Sequence, residues 1–288
     1  MNDHYCYVGD ILGYKYMIKN LELDKQEERV TNLIDFVNLA TKKFNITEEM
    51  FRLISDMIVI VTNNEDECLN DLLGFAQYML NEGVPKSFPL RGGIVHGEAK
   101  LIGDIPLGTA FLEAYELANN QNWIGTCCKV EREIIKEFCS VGGKVILYKP
   151  PMKNGEYKFM PVISWNIPFY GALYSNMVKG GLSDTTKLDW RELTKIQNTL
   201  MFSLFLKIRD THSKELFARV KKDKIGAFGE ITEERVRHDM ALWEQDPSWV
   251  LDKVNEYAKT LFELEIAKGF PKECWPKSWN IQEDSQGP

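Results

Sequence analysis

The chain has 288 residues and a mass of 33.3 kDa, room for one large domain or two small ones at roughly 100–200 residues each. Its proportions, 44% hydrophobic, 27% charged and 11% aromatic, exclude wholesale disorder, collagen-like repeats and disulfide-dense miniproteins. With 35 Lys and Arg against 42 Asp and Glu, the net charge of −7 excludes an overall basic footprint for a nucleic-acid polymer, while a local basic pocket for a small anion is still allowed.

The N-terminus (MNDHYCYVGD) has no basic region followed by an apolar stretch, so no signal peptide is expected and the cytoplasm is the expected location. Tyr5 to Val8 reads as a short strand ending at Gly9-Asp10. From Arg29 to Phe44 the apolar residues Val30, Leu33, Ile34, Val37, Ala40 and Phe44 recur at helical spacing, which predicts an amphipathic helix. Met50 to Thr62 holds two β-rich runs broken by Ser55-Asp56, a polar pair placed for a tight hairpin turn. A second helix is predicted over Asp66 to Leu80 from Leu69, Leu72, Leu73, Ala76 and Leu80.

Beyond Pro85 and Pro89, Leu90 to His96 reads as a strand, Ala99 to Ile102 as a short partner, and Gly108 to Ala118 as a helix. Trp123 to Cys128 is strand-like, Glu131 to Phe138 a short helix, and Lys144 to Tyr148 a strand stopped by Pro150-Pro151. Strand and helix periods alternate in this half, the pattern of helices laid on a sheet, with some antiparallel pairing. The texture changes after Pro151. A strand at Phe159 to Trp165 precedes a turn-rich stretch and then helical patterns, the best at Asp189 to Arg209 and Pro247 to Lys268. The basic run Arg219 to Lys224 reads as a solvated helix end, and Trp243, Trp249, Trp275 and Trp279 read as packing anchors or a dimer surface. The longest strongly apolar stretches, such as Leu200 to Leu206, fall far short of the roughly 20 residues that cross a bilayer, so no membrane partner is expected. Six scattered cysteines without C-x-x-C spacing suit neither a zinc site nor a disulfide framework and are expected as reduced, mostly buried thiols.

The pair of acids at strand ends carries the most chemistry. Asp10 stands where a strand leaves the sheet, and Asp56 sits in a hairpin turn 46 positions later, a separation that fits one intervening helix. If the strand lies beside the hairpin, both carboxylates reach one rim and can hold divalent ions through oxygen ligands. The spacing alone fits a turn former at Asp56 and a cap at Asp10 somewhat better.

These residues resemble a family. Asp10-Ile11-Leu12-Gly13-Tyr14 resembles the D-I-x-G-F signature of class III nucleotidyl cyclases, and Asp56 resembles their second metal-binding aspartate. The segment Leu90 to Gly97 (LRGGIVHG) looks like their R-x-G-I-x-x-G strand, and Gly108 to Leu117 (GTAFLEAYEL) like the helix that follows. The AYEL wording is closer to the bacterial Pycsar pyrimidine cyclases than to ordinary adenylate cyclases. The resemblance covers about Tyr5 to Tyr148.

The resemblance implies a ferredoxin-like α/β (α+β) cyclase domain over residues 1–150. Residues 151–288 are left as a mostly helical C-terminal extension and candidate dimerisation element. It implies a lyase making cUMP or cCMP from UTP or CTP, with release of pyrophosphate, as a second messenger in antiviral defence. Asp10, Asp56 and the backbone carbonyl of Ile11 match the metal ligands, with Mg2+ or Mn2+ as the cofactor, two ions in all. Arg91 matches a position that approaches the triphosphate, its guanidinium suited to phosphate oxygens. Read without the family, Arg91 is equally a surface arginine on a strand. Arg52 falls where many members keep a base-reading lysine, and Asp104 lies near a second base-reading position. The implied partners are a nucleoside triphosphate and a second copy of the chain, with active sites at the interface.

Two positions depart from the family. Leu112 and Glu116 stand where class III cyclases carry an Asn and an Arg that supports charge on the α-phosphate. They leave open a second reading, a non-catalytic homologue that binds a nucleotide or a partner. Ser55 replaces the usual glycine before the second acid, which suits a turn that needs no positive φ there. No histidine is required as a base. A diguanylate cyclase is disfavoured because Ile54-Ser55-Asp56-Met57 stands in place of a G-G-D-E-F run.

Overall fold

The computed structural model describes residues 3–131, 135, 143–155, 159–165, 194–196, 198–199, 201–203 and 205–206. Its architecture is mixed α+β, as the alternating periods predicted. The elements are β1 (Asp3–Ile11), α1 (Tyr14–Asn20), α2 (Leu23–Lys43), β2 (Phe51–Ile54), β3 (Met57–Thr62), α3 (Asp66–Gly83), β4 (Leu90–Glu98), β5 (Lys100–Ile102), β6 (Ile105–Leu107), α4 (Thr109–Asn120), β7 (Gly125–Lys129), β8 (Val145–Tyr148) and β9 (Met160–Ile163).

Among the described residues, seven strands form one sheet in the order β2-β3-β1-β4-β7-β9-β8. Only the β4–β7 pair is parallel, and α4 lies on the connection between them, as a parallel neighbour requires. The short strand after β4 does not pair with it: β5 pairs with β6 in a separate two-stranded ribbon. Strand alternation sorts β1 onto two cores. Tyr5, Tyr7 and Ile11 face the larger one, with Leu33, Phe36, Val37 and Ala40 of α2 and Leu69, Leu72, Phe75 and Ala76 of α3. Cys6 and Val8 face the smaller one, under Ala110 and Ala114 of α4.

Helix α2 begins at Leu23, six residues before the expected start, because Lys25 to Arg29 are good helix formers without apolar side chains and so add no apolar period. Helix α1 went unread for the opposite reason: seven residues are too few for a period, and it is set by Gly13 at φ 89° turning the chain out of β1 and by Met17 buried beneath it. The sheet does not stop at residue 150. Strand β9 stands between β7 and β8, and the helical residues among 194–206 seal the larger core, where Phe202 packs edge-on against Trp123 and also touches Tyr148. Thr199 Oγ1 accepts the Ile124 N–H at 2.9 Å. Apart from Glu131 and Ile135, the short helix expected over 131–138 lies outside the described residues, as do the helix over 247–268, the run 219–224 and the four C-terminal tryptophans. Of the cysteines, Cys6, Cys68, Cys127 and Cys128 are described and are thiols outside any disulfide, and the other two lie outside the described residues.

Candidate active site

The site is built at the end of β1. Cys6 and Val8 point toward α4, so two-residue alternation turns Asp10 to that same face. Asp10 is the register partner of Met57 in β3 and of Arg91 in β4. The hairpin turn therefore lies beside the end of β1, and the Ile11 N–H donates to the Asp56 carbonyl at 2.9 Å. Asp10 and Asp56 meet at one rim, and Ile11, whose carbonyl was the third expected ligand, follows Asp10 on β1 and is joined to Asp56 through its N–H.

That turn is not relaxed. Ser55 has φ 60°, so the condition under which serine would replace glycine without strain does not hold. Serine is retained at a conformation that glycine adopts more freely, and the strain is local to the residue that aims Asp56.

The electrostatics of Asp10 are dominated by burial, which raises its pKa from the ordinary carboxylate value. The Arg91 guanidinium opposes the rise, the neighbouring Asp56 charge adds to it, and Lys153 opposes it. Arg91 is only 8% exposed. Its Nε donates to Asp10 Oδ2 at 2.7 Å, and its Nη2 lies 2.6 Å from the same oxygen. Nη1 donates to the Asn119 and Gln121 carbonyls at 3.1 and 3.2 Å, and Nη2 also donates to Asn119 Oδ1 at 3.1 Å.

Arg52 and Asp104, expected together at a nucleobase, do come together: Arg52 Nε is 2.8 Å from Asp104 Oδ1. Arg52 stands opposite Val59, which stands opposite Val8, so it shares the face of Asp10 at about 12 Å from it, two strands across and two residues along. Nε also donates to the Gly103 carbonyl, and Nη1 to those of Glu48 and Phe51, which leaves Asp104, 89% exposed, as the half of the pair most open to a ligand. Leu112 is 55% exposed and Glu116 is exposed on α4. His4 and His96 lie at the far end of β1 from Asp10, one against the Thr62 carbonyl and the other against Asn64.

Sequence reasoning missed Asn119, Gln121 and Lys153. The polar run Asn119 to Asn122 that ends α4 was the available signal. Lys153 reaches the site because Gln121 and Met152 form an isolated bridge, and its Nζ donates to the Asn119 carbonyl. Burial, then Arg91 and Lys195, push the Lys153 ammonium down from 10.5 to about 8, against the pull of Asp10. Between those values the unfolded chain holds a proton that the folded chain has released, so this group makes stability rise with pH from about 8 toward 10.5. Lys153→Met is expected to flatten that rise. Urea midpoints at about pH 7.5 and about pH 9.5 measure it, and an unchanged slope in the variant would assign the rise to another group.

Two carboxylates and a main-chain carbonyl are an oxygen-only donor set, the kind that hard divalent cations take. Among the described residues no group of three or more His, Cys, Asp or Glu side chains gathers as a metal site, the rim offering two carboxylates, and no helix is long and apolar enough to cross a membrane.

No family model matches the chain, and no curated protein matches it either. Among solved structures it is similar to the adenylyl cyclase CyaB from P. aeruginosa, at 13% identity and TM-score 0.40 over 56% of this chain and 91% of that one. It is also similar to the catalytic core of a rhodopsin-guanylyl cyclase with converted specificity in complex with ATPalphaS, at 13% identity and TM-score 0.43, over 57% of this chain and 96% of that one. The guanylate cyclase domain of RhGC from Catenaria anguillulae in complex with GTP gives 14% identity and TM-score 0.40, over 57% of this chain and 96% of that one. At such identities and scores, the chemistry of the site rests on the chain's own residues.

Proposed function

We propose that the chain is a nucleotidyl cyclase acting on a pyrimidine nucleoside triphosphate, its product cUMP or cCMP serving as a signal in defence against phage. The observation that carries the reading is the meeting of Asp10 and Asp56 at one rim, where the register of β1 with β3 joins two motifs far apart in sequence. The preference for a pyrimidine and the defence role are supported by the AYEL wording of α4.

In the reaction the ribose 3′-oxygen forms a bond to the α-phosphorus, the bond from that phosphorus to the bridging oxygen breaks, and pyrophosphate leaves with the electron pair. The hydroxyl proton passes to solvent. Asp10, Asp56 and the Ile11 carbonyl would hold Mg2+ or Mn2+, which would supply neutralisation of triphosphate charge and a lower pKa at the 3′-hydroxyl. Asp104 and Arg52 offer a nucleobase an acceptor and a donor side by side. Leu112 and Tyr115 of α4, with Ile102, Ile105 and Leu107 of the β5-β6 ribbon, expose apolar side chains. They support a homodimer with active sites at its interface. A second reading, a homologue that binds nucleotide without turnover, is supported by the exposed Leu112 and Glu116, which place no cation on α4 for the α-phosphate.

Chromatography of products from a mixture of the four ribonucleoside triphosphates with Mn2+ tests the assignment. One pyrimidine cyclic monophosphate with pyrophosphate is expected. Turnover of none of the four defeats the cyclase reading, and calorimetric binding of a triphosphate without product selects the second.

A further inference from the structure

We infer that Arg91 is a positioning residue for Asp10, and that the end of α4 holds it in place. The inference rests on the cyclase reading only in taking Asp10 as a cation ligand.

The argument begins with donors and acceptors. A guanidinium has five N–H groups in a rigid planar fork. In Arg91 the Nε–H donates to Asp10 Oδ2, Nη2 donates to Asn119 Oδ1 and makes an ion-pair contact with the same Asp10 oxygen, and Nη1 donates to the carbonyls of Asn119 and Gln121. All three guanidinium nitrogens are engaged within the protein. A phosphate oxygen could reach Arg91 only by displacing one of these acceptors from a side chain that is 8% exposed. Both contacts to Asp10 fall on Oδ2, so the guanidinium holds the carboxylate by that oxygen and Oδ1 is the one left for a cation beside Asp56.

The support continues one layer outward. Lys153 Nζ donates to the Asn119 carbonyl that also accepts from Arg91, and Gln121 Nε2 donates to the Gly92 and Leu117 carbonyls. The last turn of α4 is thereby tied to β4 beside Arg91 on one side and to residue 153 on the other. Partners that orient a ligating carboxylate act on the affinity of the site for its metal, since a ligand free to rotate loses that orientation on each binding event.

Two variants and two readouts test this. Arg91→Lys keeps the charge and loses the fork, and Asn119→Ala removes one acceptor while leaving both main-chain carbonyls in place. With nucleotide absent, Mn2+ affinity measured by electron paramagnetic resonance is expected to fall about 10-fold in Arg91→Lys and about 3-fold in Asn119→Ala. In turnover, kcat is expected to fall in the same order, with KM for the triphosphate within about 2-fold of wild type. A phosphate contact would instead raise KM and be partly restored by lysine. Equal Mn2+ affinity in the wild type and both variants, or no Mn2+ binding by the wild type, overturns the assignment, even if the variants melt earlier. Mn2+ binding that shifts as expected in a wild type without turnover would retain the positioning role and defeat the cyclase reading alone.

Discussion

Asp10→Asn and Asp56→Asn are each expected to lower product formation about 1000-fold, equivalent to roughly 4 kcal/mol of barrier. The two variants should part company in stability. Asp10 is the counter-charge of a guanidinium whose side chain is 10% exposed, so neutralising it leaves a largely buried cation with a weaker partner. A fully buried pair broken on one side costs 3–5 kcal/mol, and discounting for the 23% exposure of Asp10 gives a loss of about 2 kcal/mol. Asp56 has the opposite sign. Its charge raises the pKa of Asp10, so the two carboxylates repel, and removing one relieves the other. Asp56→Asn is therefore expected to melt at or slightly above wild type. Urea melts and product chromatography on the same preparations check both halves. Retained turnover in either variant would remove the carboxylates from the chemistry, and a destabilised Asp56→Asn would show that the two acids do not face each other.

The residues at the rim were legible because both are punctuation marks. Asp10 ends an apolar run and Asp56 sits in the polar break of a hairpin, and strand ends of that kind can be found without knowing which strands pair. The neighbours of Arg91 were not legible. They lie 28 and 30 positions away, at the end of a helix whose register on the sheet is set by packing, and the sequence around Arg91 shows a strand with no sign of which face is covered. The same limit hid the partner of β5, since three residues carry no period that distinguishes a pairing with β4 from one with β6. Pro150-Pro151 marked a break in the chain, yet the sheet takes up β9 beyond it, because proline interrupts a strand and does not prevent the chain from returning. The exchange of Ser55 for glycine was readable and its consequence was not: the sign of φ in a two-residue turn depends on the twist of the strands it joins.

Gly93→Ala is expected to destabilise the fold by about 3 kcal/mol, at the upper end of what overpacking costs. Gly93 stands on β4, on the face that bears Arg91 and Val95, and α4 crosses directly above it. A methyl group there would run into the main-chain oxygen of Ala114 and come within 3.1 Å of Leu117 Cβ. Neither obstacle can swing aside, since one is backbone and the other is the root of a side chain. Gly92 offers the contrast: its added Cβ meets the Oγ1 of Thr126 and the ring of Tyr7, groups at the ends of side chains. The stripe Ala110, Ala114 and Ala118 has the same cause, for only small residues let the helix axis approach a strand this closely. To admit the methyl group α4 must lift, and its last turn carries Asn119 and Gln121 away from Arg91. The variant should accordingly lower the melting temperature by about 6–12 °C. Its folded fraction should also bind Mn2+ more weakly, as is expected of Asn119→Ala. A Gly93→Ala protein that melts within about 1 °C of wild type would mean that α4 does not rest on β4 at this point. One that melts early and binds Mn2+ with unchanged affinity would uncouple the seat of the helix from the geometry of Asp10.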